Sequence, residues 1–150
     1  MITRKKMFSK KGEKYHMSYV INGIRNFKVV NLMDYSDEWG VKFNNDEDWI
    51  STDWNLDAVT LVRETIKKYA PNVDFFDVLP SFGEFDLGQS MDELTAMWFK
   101  KSIPNPAKCL EIFNKNSILS KAKAEEQKAY SKLLWLYENW SKGFSIFFSY

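Results

Sequence analysis

One histidine, His16, and one cysteine, Cys109, are all the imidazole and thiol that this 150-residue chain carries. A site that needs two His or two Cys is excluded, as is an intrachain disulfide, and a lone Cys suits a reducing compartment. A Ser-His-Asp arrangement would have to be built on His16, yet no Gly-x-Ser-x-Gly elbow accompanies it. Cys109, set among Ala107, Leu110 and Ile112, reads as a small hydrophobe. Arginine is scarce too: eighteen Lys stand against Arg4, Arg25 and Arg63. The planar guanidinium is the usual reader of guanine edges and clamp on phosphate, so sequence-specific nucleic-acid recognition is disfavoured. No apolar run approaches the roughly 18 residues that cross a bilayer, and no apolar stretch follows Arg4-Lys5-Lys6 as it would in a leader. The expectation is a cytoplasmic protein with no membrane contact, no cofactor and no resident metal.

Aromatic residues are abundant, at 17% (twelve Phe, seven Tyr, six Trp), more than a core of this size needs. The net charge of +1 conceals three blocks. Residues 1–28 sum to +7, residues 29–98 to −11 and residues 99–150 to +5. Such sorting gives a folded protein faces of opposite potential, which steer partners. Abundant Lys, Asn, Phe and Tyr resemble the usage of an AT-rich genome, which suggests a phage or mobile-element accessory protein.

Residues 1–13, with little to bury, read as a basic tail on a single domain spanning 1–150. Strands are expected at about 14–21 and 24–32, joined at Asn22-Gly23, the strongest short hairpin signal, with Ile21 facing Ile24, Tyr19 facing Asn26 and Ser18 meeting Phe27. Trp39, Val41 and Phe43 alternate as in a half-buried third strand, and Trp49-Ile50-Ser51 reads as a short fourth. Asn55 caps a helix over 55–70 that Pro71 closes, its apolar positions Leu56, Val59, Val62, Ile66 and Tyr69 recurring every three or four residues. Residues 71–89 read as a loop pinned by its rings. Ser90 and Glu93 form a capping-box pattern for a helix through Leu94, Met97 and Trp98 to about Ser102. Asn105-Pro106 opens a helix to about Asn114, and a long amphipathic helix runs from Ser117 or Ser120 to Gly143. The alternating run 144–150 is too apolar to stand alone as a strand, so it should pair into the N-terminal sheet. The class is α+β: an antiparallel sheet, built from an N-terminal hairpin or meander plus a C-terminal strand, flanked by about four helices.

The acidic block draws most of the functional attention. Asp34, Asp37, Glu38, Asp46, Glu47, Asp48, Asp53 and Asp57 are opposed only by Lys42 within their span, and Trp39, Trp49 and Trp54 sit among them. Trp is enriched in binding hot spots, and carboxylates around rings present a phosphate-like array to a basic site. The resulting expectation is a non-enzymatic protein-binding module that uses Asp37, Glu38, Trp39, Asp46, Glu47, Asp48, Trp49, Asp53 and Trp54 to occupy the basic, nucleic-acid-binding surface of a host protein. One alternative is weak, sequence-independent single-stranded nucleic-acid binding through Lys5, Lys6, Lys10, Lys11 and Lys14, with Tyr15 and Tyr19 as stacking rings. The other is a metal-dependent enzyme on the 34–57 carboxylates, although Trp49 stands where a calcium loop would place its next ligand.

Overall fold

The structure, a computed structural model, describes residues 18–32, 38–82, 87 and 90–149. Its architecture is α+β, with a three-stranded antiparallel sheet of order β4-β1-β5 and a separate ribbon of β2 and β3. The strands are β1 (Ser18–Ile24), β2 (Phe27–Asn31), β3 (Trp39–Phe43), β4 (Trp49–Asn55) and β5 (Ser145–Ser149). The helices are α1 (Leu56–Tyr69), α2 (Phe75–Val78), α3 (Glu93–Ser102), α4 (Pro106–Lys115), α5 (Ile118–Glu125) and α6 (Gln127–Ser141).

The C-terminal run pairs with β1 as expected, Val20 opposite Ser149 and Ile24 opposite Ser145. All five β5 residues are buried, because the sheet is covered on both faces. Ile146 and Phe148 point with Ile21 and Trp54 into the larger core, against Val62 and Ile66 of α1 and Leu133, Leu136 and Trp140 of α6. Phe147, one residue out of phase, points the other way with Ile24, into a smaller core completed by Val41 of β3, Phe99 of α3, Phe82 and Leu87. The outer edge of β5 is also closed: the Phe148 N–H donates to Pro80 O at 2.9 Å, and the Phe82 N–H to Phe148 O at 3.0 Å. This holds residues 80–82, and Phe75, Val78, Leu79, Phe82 and Leu87 are buried.

Asn22-Gly23 is not a turn. β1 runs straight through it, and the chain bends at Arg25-Asn26, where Asn26 takes φ 49°. The expected pairs of Ile21 with Ile24, Tyr19 with Asn26 and Ser18 with Phe27 are absent: β1 pairs with β4 and β5, while β2 pairs only with β3. Asn-Gly permits positive φ without requiring it, and two other demands outweigh the local signal. The buried Asn22 amide accepts from Trp49 Nε1 at 3.3 Å and donates to the Ser149 hydroxyl at 3.4 Å. Gly23 lies where the sheet meets β4 and the α6–β5 connection so closely that a Cβ would come within 2.8 Å of Ile50 Cγ1.

Local helix signals fare better. The Asn55 side chain accepts the Ala58 N–H at 2.8 Å, and α1 buries Val59, Val62 and Ile66, one helical stripe. Asn105 caps α4 with Pro106 in its first turn, and Gly143 takes φ 88° after α6. Two details differ. Asp92, not Ser90, caps α3, accepting the Thr95 N–H at 2.7 Å. The expected long helix is interrupted at Glu126 (φ −127°, ψ 60°), so that α5 and α6 pack against each other. No Gly or Pro causes the break. Instead, Tyr69 OH donates to Glu125 Oε2 and Lys68 Nζ to Glu126 Oε1, each at 2.7 Å, drawing the junction onto the end of α1.

Candidate functional site

The described carboxylates of the acidic block divide between surface and interior. Asp34 and Asp37 lie outside the described residues, as do His16 and the candidate lysines Lys5, Lys6, Lys10, Lys11 and Lys14. Glu38 is exposed beside β3, its carbonyl accepting the Leu32 N–H at 2.8 Å. Trp39 is half-buried and exchanges backbone hydrogen bonds with Met91, at 2.8 and 2.9 Å. Asp46 and Glu47 stand exposed on a single 3-10 turn before β4, and Asp53 is exposed near the far end of that strand. Four residues of extended chain, about 13 Å, separate Trp49 from Asp53. Among the described residues no three His, Cys, Asp or Glu side chains come together as metal ligands would.

Two members of the expected contact set, Asp48 and Trp54, are built into the interior, and a third, Trp49, is half-buried. Asp48 is 2% exposed and accepts from Arg25 Nε at 3.0 Å, Asn26 Nδ2 at 3.3 Å and the Asn45 N–H at 3.2 Å. Burial alone would raise its pKa, but those three hydrogen bonds and the charge of Arg25 outweigh it and hold the carboxyl below its usual value. The same Arg25 reaches Lys142 O at 3.0 Å and lies 4.4 Å from the Phe144 ring centroid, so the pair ties the β1–β2 turn to the end of α6. Trp54 is buried against Trp135, ring edge to face at 6.2 Å. Trp49 stacks on Phe43 at 6.3 Å while its N–H is spent on Asn22. Asp48 and Trp54 therefore have no surface to offer a partner in the folded chain, and Trp49 has little.

Cys109 is 2% exposed, its thiol 3.8 Å from Val78 O, and burial pushes its pKa up to about 12. The thiolate needed for nucleophilic chemistry is thus suppressed. A disulfide reagent at pH 8 should leave native protein unmodified over hours and react within minutes once denaturant is added. Prompt native labelling would show that the thiol is accessible.

The surface that stands out is α3. It turns Ala96 and Phe99 inward, where Phe99 meets Phe82 at 5.0 Å and Phe147 at 5.5 Å. The spacing i, i+3, i+4 then puts Leu94, Met97 and Trp98 together on the outside, 79%, 61% and 51% exposed. Lys101, one helical turn beyond Met97 and Trp98, is also exposed and continues the stripe. The Trp98 ring is steadied by an edge contact with Phe82 at 4.8 Å. The residue pattern marked a helix here, but nothing in it distinguished the stripe of Leu94, Met97 and Trp98 from the core-facing one. Only packing on Phe82 and Phe147 chooses. Comparison with protein families, curated proteins and solved structures finds no match to this chain.

Proposed function

We propose that this chain is a non-enzymatic protein-binding module whose contact surface is the outer face of α3. The observation that carries the reading is the side-by-side exposure of Leu94, Met97 and Trp98 on a helix already anchored by Phe99. Scattered exposed apolar residues need no explanation, but three large ones in one stripe do, and Trp and Met are enriched where proteins dock. A host protein with a basic surface, the partner class suggested by the charge blocks, would have to bind the exposed carboxylates of Asp46, Glu47 and Asp53 without help from Trp54.

A photo-crosslinking amino acid placed at position 98 or at position 47, in cells expressing the chain, separates the two surfaces. A discrete protein adduct from position 98, lost on adding Leu94→Asp, is the expected result. Adducts from position 47 alone would return the contact to the acidic turn, and adducts from neither would sink the binding-module reading.

A further inference from the structure

Resting on that reading of α3, we propose that the surface takes a second copy of this chain, docked antiparallel about a two-fold axis passing between Met97 and Trp98. The charges select the occupant. Glu93 lies in the first turn of α3, and Lys100 and Lys101 lie in its last. Glu93 and Lys100 are seven residues apart, about two turns, and so share one flank of the stripe. In an isologous antiparallel pair the same flank of both helices meets across the axis, which brings Glu93 of each copy within reach of Lys100 of the other. Parallel docking about a two-fold along the helices would put the Glu93–Lys100 flanks on opposite sides of the seam, where the two charges cannot meet. The antiparallel arrangement sets Met97 against Met97 and Trp98 against Trp98 of the second copy, and lays the aliphatic stem of Lys101 over its Leu94. The edge contact with Phe82 orders Trp98 before docking, which lowers the entropic cost.

The contact is short. A helix of 10 residues is only about 15 Å long, and one exposed stripe of that length covers well under the roughly 800 Å² per partner of a standard interface. The dimer is therefore weak, with Kd on the order of 10–100 µM.

Sedimentation velocity of the full chain from about 5 to about 500 µM should show a monomer converting to a dimer. Leu94→Asp should remain monomeric throughout with an unchanged Tm, since that side chain is mostly in water. Glu93→Lys and Lys100→Glu should each raise Kd roughly 3- to 10-fold, and the double swap should return it to within about twofold of the original. A wild-type chain that stays monomeric to 500 µM overturns the proposal, as does a dimer indifferent to Leu94→Asp or a swap that fails to rescue. If the purified chain is monomeric while position 98 still crosslinks to another protein in cells, self-association fails and the binding module stands. Loss of both removes the module as well.

Discussion

Replacing Phe147 with Ala should lower the free energy of unfolding by about 3–5 kcal/mol, read as a shift in the urea midpoint at unchanged slope. The ring is fully buried and is one corner of a triangle of mutually edge-on rings, 5.0 Å from Phe82 and 5.5 Å from Phe99, with Phe82 and Phe99 themselves 5.0 Å apart. Those three residues come from β5, from the segment that closes the edge of β5, and from α3. Truncation therefore opens a cavity at the one point where all three meet, and it forfeits edge-to-face pairs worth about 0.5–1.5 kcal/mol each beyond their buried area. Phe147→Leu, which keeps most of the volume, should cost visibly less. A loss under about 1 kcal/mol for the Ala variant would mean that the second core does not depend on this ring.

Asp48→Asn should lower Tm at pH 7 by about 5 °C, because it removes the charge that a buried carboxylate presents to Arg25, whose own side chain is 28% exposed and keeps part of its hydration. The pH dependence identifies the cause. Asp48 has a folded-state pKa below its unfolded value, so its ionised form favours the native state. That contribution is fully present above the unfolded carboxyl pKa, about 3.9, and is lost as pH falls through the lower folded-state value. Thermal melts of both proteins should thus differ most near neutrality and converge toward pH 2. A gap that persists unchanged in acid would place the effect in packing rather than in the ion pair.

Local chemistry made much of the fold legible. Asn55 and Asn105 acted as caps because their short side chains satisfy free N–H groups whatever the tertiary context, and α1 showed its buried stripe directly in Val59, Val62 and Ile66. The third, fourth and C-terminal strands were readable from alternation and apolarity. What misled was a local signal overruled at long range. Asn22-Gly23 has strong turn chemistry, yet the partners that hold it extended are Trp49, Ile50, Phe144 and Ser149, which no window around residue 22 contains. The division within the acidic block was hidden for a related reason: sequence proximity does not reveal side-chain direction, and Asp48 and Trp54 are buried while Asp46, Glu47 and Asp53 are exposed. The α3 surface was hidden by the opposite ambiguity, since a helix apolar on more than one side does not say which side the core will take.

The place of β5 has a consequence for how fast the molecule assembles. Asn22 and Ser149, hydrogen-bonded across neighbouring strands, are 127 positions apart in the chain. β1, the middle strand, thus has one flank closed by a strand from far along the chain, which supplies Ile146 and Phe148 to one core and Phe147 to the other. Helices α4 to α6 gather through neighbours close in sequence, whereas this pairing spans 127 positions, the kind of contact that slows folding. β5 acts as a keystone, lending side chains to both interiors through one long-range pairing.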